Sequence, residues 1–268
     1  MKQHRARMTL TELVDSSQAS GRYVLTRAQA MHALGVSKEA LKKAVQRLVA
    51  KRRLAVAHRG FYVIVPIEYR TAGAPPPSWF IDDLMKFLGH PYYVGLLSAA
   101  ALHGAAHQQP QEFQVITNAQ LRPAVTGQVR IRFFRKVHLD RTPTLGMKTE
   151  TGSMRVATPE ATGLDLFRYL KAAGHLGHVA TVLVELAEAM NAHRLVEAAG
   201  IADEMSIAQR LGHVLDRIGS TKLANVLSSW LAEQHPRYVP LRVDRSIRRA
   251  AKDPRFRVLV NEHVEAEA

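Results

Sequence analysis

The chain has 268 residues, 47% of them hydrophobic, no cysteine, and a formal charge of +14. That composition supports one large folded domain or two ordinary ones and excludes wholesale disorder, disulfides, thiolate nucleophiles and cysteine-based zinc sites. No run of about 18 apolar residues marks a membrane span, the start "MKQHRARMTL" lacks the apolar stretch of a secretory signal, and the absence of cysteine suits a cytoplasmic protein.

The positive excess favours a polyanionic partner, nucleic acid first and an anionic membrane surface second. Its distribution is uneven. Residues 1–70 hold 14 Lys and Arg against 4 Asp and Glu, whereas residues 71–268 hold 23 against 19. A merely solvated surface would spread its charge.

In chain order, Leu10, Leu13 and Val14 recur at helical spacing, and Gly21 ends that helix. "YVL" is a short extended piece. Thr26 followed by Gln29 matches a capping box for "RAQAMHAL", and Gly35 is its natural stop. Ser37 then caps "KEALKKAVQRLVAK", whose Leu41, Ala44, Val45 and Leu48 form one apolar stripe. Glu39, Lys42, Lys43, Gln46 and Arg47 project from the other side. Two β-prone runs follow, "RLAVA" and "FYVIV", joined by "HRG", in which Gly60 supplies the positive φ of a tight hairpin. Helix, strand, helix, tight turn, helix and hairpin is the layout of a winged helix-turn-helix module. Five cationic or titratable residues, Lys51, Arg52, Arg53, His58 and Arg59, thread the end of the third helix and the hairpin. The expected DNA contacts are Arg27, Ser37, Lys38, Lys42, Lys43, Gln46, Arg47, Arg52, Arg53, His58 and Arg59. Their Lys and Arg give salt-dependent phosphate binding. Lys43, Gln46 and Arg47 have hydrogen-bonding groups suited to base edges. Some modules of this layout dock proteins instead.

"TAGAPPPSW" carries three prolines and reads as a stiff linker over 71–78, dividing a winged-helix domain (1–70) from a larger domain (79–268). There, "SWFIDDLMKFLG" reads as a helix capped by Ser78, and "YYVGLLSAAALHG" as a second, very apolar helix. "EFQVIT", "VRIRFF" and "SMRVAT" read as strands. Thr158 and Pro159 open a helix. The chain is then helical from Gly177 to Trp230, and "PRFRVLVNEHVE" reads as a terminal strand. Strands before helices argue for an α+β fold, rich in helices.

No catalytic constellation emerges. His175 and His178 have a metal-like spacing, but no carboxylate or further histidine converges on them, and the segment reads as a helix start. No metal or cofactor is expected. Ser98 and His103, five apart, share no helix face. His103 and His107 would share one only if the helix continued through Gly104, so His103 reads as a core or capping histidine. Asp82 and Asp83 are adjacent and diverge on a helix, and Glu150 sits in a loop, so a nuclease-like carboxylate cluster is missing. "VRIRFFRK" alternates Arg130, Arg132 and Lys136 with apolar residues, apart from a break at Phe134 and Arg135. Its basic row is either a solvated face or a second surface for nucleic acid or a partner.

The segment "LTRAQAMHALGVSKEALKKAVQRLVAKRRLAVAHRGFYVIVP", the segment "PYYVGLLSAAALHGAAHQQPQEFQVIT" and the ending "RFRVLVNEHVE" together resemble AbiEi-type antitoxins of abortive-infection toxin–antitoxin operons. The most specific part is "YYVGLLSAAALHG". The resemblance implies a winged-helix domain that represses its own promoter at inverted repeats. It implies a C-terminal domain that counters a nucleotidyltransferase-like toxin, without requiring direct contact. By position, the reading helix is Lys38 to Lys51 and the wing Arg53 to Ile64. Inverted repeats call for two copies, pre-formed or assembled on DNA. Two readings compete: a winged-helix regulator with a ligand-sensing C-terminal domain, and a DNA-targeted nuclease, the latter disfavoured by the missing carboxylates.

Overall fold

The computed structural model describes residues 8–105, 110–202 and 205–264. It opens with α1 (Leu10–Ala19), β1 (Val24–Thr26), α2 (Arg27–Leu34) and α3 (Lys38–Ala50), then the hairpin β2 (Leu54–His58) and β3 (Phe61–Ile64). Local chemistry sets these bounds. Thr9 with Glu12 and Thr26 with Gln29 each close a reciprocal capping box. Gly35, at φ 58°, ends α2 in the left-handed conformation, and the Ser37 hydroxyl accepts from the Ala40 N–H to start α3. The three strands form a sheet of order β1-β3-β2. Its helix-facing side, with Leu54, Tyr62 and Ile64, closes a small core with Leu10, Val14, Leu34, Leu41 and Val45.

The other side of this sheet is not exposed. Ala55, Ala57, Phe61, Val63 and Val65 belong to the large core of the remaining chain. The proline-rich segment is packed as well. Ala74 and Pro75 are buried, and the Ala72 carbonyl accepts from the Gln128 N–H at 2.7 Å. Trp79 packs in T-shaped contact with Tyr23 and Tyr69, with ring centroids 4.8 and 5.3 Å apart. Residues 71–78, expected as a spacer, are thus clamped onto the body they lead into.

A six-stranded mixed sheet of order β6-β7-β5-β4-β9-β8 forms the centre of the larger part. Its strands are β4 (Tyr92–Val94), β5 (Phe113–Thr117), β6 (Ala124–Thr126), β7 (Val129–Arg135), β8 (Thr144–Thr149) and β9 (Gly152–Ala157). Helix α4 (Ile81–Leu88) precedes it, and α5 (Leu96–Leu102) follows β4. A helical layer comes next: α6 (Pro159–Arg168), α7 (Leu176–Ala189), α8 (Ala192–Ala202), α9 (Met205–Arg217) and α10 (Thr221–Gln234). A small sheet closes the described chain, with β12 (Val258–Val260) between β10 (Val239–Pro240) and β11 (Ala251–Asp253). The fold is α+β.

Three expectations need correction. "YYVGLLSAAALHG" is not one helix. Its first residues form β4, which pairs with both β5 and β9, and only Leu96–Leu102 is helical. Gly95 marks the change, since a Cβ there would lie 2.6 Å from Ile116 Cδ1. Ser78 caps nothing: Pro77–Trp79 is a 3-10 turn, and α4 starts at Ile81 with Phe80 at its N-cap and no side-chain cap. The terminal strand spans only Val258–Val260. Strands β6 and β8 escaped the sequence reading because "AVT" is very short and "TLGMKT" is mostly polar with an internal glycine.

Helix α6 is buried along nearly its whole length and carries Asp165, which is fully buried. The Tyr93 hydroxyl donates to one carboxylate oxygen at 2.7 Å, and Lys136 Nζ donates to the other at 2.9 Å. Lys136 also reaches the Tyr93 hydroxyl at 3.2 Å, and Arg168 Nε lies 3.4 Å from the carboxylate. Burial lowers the Lys136 pKa, and Asp165 opposes that shift by favouring the ammonium.

Two outcomes follow from this packing. Gly127, at φ 59°, has no room for a side chain, because a Cβ would lie 2.3 Å from the Ala72 carbonyl oxygen. Gly127→Ala is expected to destabilise by more than about 1 kcal/mol in urea unfolding. Asp165→Ala strands the Lys136 charge and should cost about 3–5 kcal/mol. Adding Lys136→Met should recover much of that loss in the same measurement.

Candidate nucleic-acid interface

Helix α3 buries Leu41, Val45 and Leu48 and leaves the opposite face in solvent. Two adjacent rows run along that face at helical i, i+4 spacing. Lys38, Lys42 and Gln46 form one, and Glu39, Lys43 and Arg47 the other, and all six are exposed. Three residues, Gly35 to Ser37, separate α3 from α2. Ser37 is exposed, but its hydroxyl is engaged as the α3 cap.

The hairpin turn lies against the start of α2. Gly60, at φ 92°, accepts from the Arg27 N–H at 2.8 Å, and a Cβ on Gly60 would lie 3.4 Å from the Arg27 guanidinium. Arg27, half-buried, therefore shares one corner with exposed Arg59. His58 is exposed but meets the edge of Phe87 on α4 at 5.9 Å, and Phe61 meets the same ring at 5.4 Å. Here the ribbon rests on the body of the protein and does not project from it.

Two arginines expected at DNA have partners inside the fold. Arg53 forms an ion pair with Asp15 on α1, because residues 52 and 53 leave α3 through a left-handed turn at Arg52 (φ 52°) that aims Arg53 back at the bundle. Arg52 itself donates to the Arg70 carbonyl at 3.4 Å. The structure thus brings Lys38, Lys42, Lys43, Gln46 and Arg47 onto one open face and Arg27 to Arg59, while Arg53 ties α1 to the hairpin.

The basic strand divides differently from its alternation. Arg130 and Arg132 are exposed on β7, both within ion-pair reach of Glu112 at 3.6 and 3.4 Å, and Arg132 lies over Phe134. Lys136 does not join them. It follows the last residue of the strand, its N–H donates to the Thr117 carbonyl, and its side chain turns into the core to meet Asp165. A row of three is therefore a pair.

Beyond the end of β7 the chain opens a cleft of about 470 Å³ that the sequence reading missed. Arg135, Lys136, His138, Arg141 and Arg168 line it, and no carboxylate among the described residues does. Its apolar wall comes from α6 and α8 through Ala161, Leu164, Ala198 and Ile201. The Tyr169 hydroxyl beside it donates to the Arg135 carbonyl at 2.6 Å, and burial pushes its pKa up to about 12. The cationic density of "RKVHLDR" was a signal, but Arg168 joins it only through the fold.

His175 and His103 have structural roles. His175 Nδ1 accepts from the His178 N–H and caps α7, and His103 Nε2 lies 2.7 Å from the Ala157 carbonyl. The Ser98 hydroxyl accepts from the Gln114 N–H. His107 lies outside the described residues. No three His, Asp or Glu side chains come together as a metal site among the described residues, and no described helix is long and apolar enough to cross a membrane.

Comparison with curated proteins finds no match. Among solved structures, the crystal structure of the RV2827C protein from Mycobacterium tuberculosis is similar, with a TM-score of 0.66 at 15% identity. The likeness covers 94% of this chain and 92% of that one, and at this identity it speaks to the fold alone. Residues 93–217 match the family model of the AbiEi antitoxin C-terminal domain, a span that runs from β4 to the end of α9 and contains the cleft. The segment from Tyr93 to Arg217 therefore belongs to the AbiEi antitoxin family, and it points to an antitoxin role in a toxin–antitoxin system.

Proposed function

We propose that the chain is a DNA-binding antitoxin, without catalytic activity of its own, that represses its own promoter through a winged helix-turn-helix at residues 1–70. The observation that carries this reading is the open face of α3, where Lys38, Lys42, Lys43, Gln46 and Arg47 stand together, exposed, with no described element packed over them. In the mechanism, α3 enters the major groove. Lys and Arg neutralise phosphates and release counterions, and Lys43, Gln46 and Arg47 meet base edges. Arg27 and Arg59 at the hairpin corner take the flanking backbone. Inverted repeats would engage two copies, related by the symmetry of the site.

Residues 79–268, which include the AbiEi domain, would counter a nucleotidyltransferase-like toxin encoded alongside, as the resemblance implies, and the protein would act in the cytoplasm. Because one face of the β1-β3-β2 sheet is part of the large core, events in the larger part can reach the DNA-binding face without a flexible hinge. That coupling also favours the second reading, a regulator whose C-terminal part senses a ligand, and the cationic cleft supplies a place for one.

Lys43→Ala with Arg47→Ala is expected to abolish binding to the protein's own promoter fragment at physiological salt and leave the melting temperature unchanged. In Lys38→Ala with Lys42→Ala, which meet phosphates, the slope of log affinity against log salt should flatten by about two. A Lys43/Arg47 variant that retards the fragment as well as wild type rejects the proposal. Arg53→Ala should do the converse. Its partner is Asp15, so stability falls slightly, by less than about 1 kcal/mol, while the salt slope holds.

A further inference from the structure

The cleft beyond β7 is built as an anion site. Arg135, His138, Arg141 and Arg168, with the buried Lys136 beneath them, line it from two stretches far apart in sequence: the end of β7 with the loop that follows it, and the end of α6. Asp140, beside Arg141 in the loop, does not line the cleft, and Asp165 is already shared between Lys136, Tyr93 and Arg168. It fixes the floor and leaves the guanidinium groups of Arg135 and Arg141 uncompensated. Both are exposed, and neither forms an ion pair with any described residue. Cations gathered against low-dielectric walls focus positive potential into the space between them. The position is also one where α/β sheets hold ligands, past the carboxyl end of a strand that runs parallel to its neighbour β5.

The shape narrows the ligand class. A volume of about 470 Å³ is within the range of small-molecule pockets and much larger than a lone phosphate needs. Apolar side chains also line it: Ala161 and Leu164 come from α6, and Ala198 and Ile201 from α8. The cleft thus suits an anion held by guanidinium forks together with a flat organic group with little hydrogen bonding.

From this arrangement we infer that the AbiEi domain binds a small phosphate-bearing molecule of mononucleotide size. Arg135 and Arg141 hold the phosphate, and the α6–α8 wall holds the organic part. Lys136 and Asp165 are positioning residues: their buried pair sets the floor on which Arg168 rests. The site is separate from α3, so it stands or falls independently of DNA binding.

The test is calorimetric titration of the full chain with AMP, CMP, GMP and UMP, and with adenosine and inorganic phosphate, in low salt. At least one nucleotide is expected to bind with a dissociation constant below about 1 mM. Adenosine and inorganic phosphate should each bind about tenfold more weakly or not at all. Arg135→Ala with Arg141→Ala changes two exposed side chains, so the fold should persist by circular dichroism, and it should weaken the nucleotide about tenfold or more. Arg130→Ala with Arg132→Ala, outside the cleft, should leave binding unchanged. No binding by any of the four nucleotides, or undiminished binding in the Arg135/Arg141 variant, overturns the assignment. Inorganic phosphate binding as tightly as the nucleotides removes the organic half of it. A twelve-residue oligouridylate that binds more tightly than every mononucleotide, and depends on Arg135 and Arg141, overturns the small-molecule class in favour of RNA.

Discussion

The strand Phe61–Ile64 is buried on both faces, and the relation between the two parts of the molecule depends on it. Tyr62 and Ile64 point into the small helical core, and Phe61 and Val63 into the large one. Alternation along a strand makes this division automatic. A shift of one residue in its register would place each set of side chains in the wrong core. Each of these four buried side chains contributes about 1.5–3 kcal/mol, so the strand acts as a seam between two hydrophobic clusters. The consequence is mechanical. The charged face of α3 is held in a fixed relation to the six-stranded sheet, reinforced by Trp79 between Tyr23 and Tyr69 and by the Ala72–Gln128 hydrogen bond.

Around this seam the charges sort by burial. Exposed cations on α3 are in water and free to exchange counterions. Arg53 and Arg52 are spent on Asp15 and on the Arg70 carbonyl, and so secure the exit from α3. Lys136 is the extreme case: burial lowers its pKa, and it stays next to Asp165 because that carboxylate and the Tyr93 hydroxyl together satisfy it. Basic residues that look alike in a composition count thus have three physical roles: counterion exchange, structural pairing, and support for a cationic cleft.

Under the proposed function, the α3 face and the part that matches the AbiEi antitoxin domain would respond to one another. A continuous core between them provides a route. Any event that alters packing near β4, β9 or α6 bears on β3, since Val94, Val156 and Leu164 lie in the same cluster as Phe61 and Val63. A route of that kind is a physical precondition for coupling; the coupling itself is an energy that binding measurements define.

Most of the local chemistry was legible in the sequence, the Ser78 cap excepted. The Thr26–Gln29 capping pair, the Ser37 and Thr158 caps, the stop at Gly35 and the hairpin at Gly60 all depend on residues within a few positions of each other, and they set helix and turn boundaries wherever the rest of the chain lies. The apolar stripe of α3 likewise determined which of its residues would face water. The tertiary structure decided what depends on distant partners. Tyr92–Val94 is a strand only because β5 and β9 flank it, although its sequence runs smoothly into a helix. The proline segment packs only because the β6–β7 turn meets it. Lys136 is buried only because Asp165, 29 residues away, waits at the floor. Short-range hydrogen bonding and periodicity are written in neighbouring residues, whereas pairing of buried charges and strands is set by which segments the whole fold brings together.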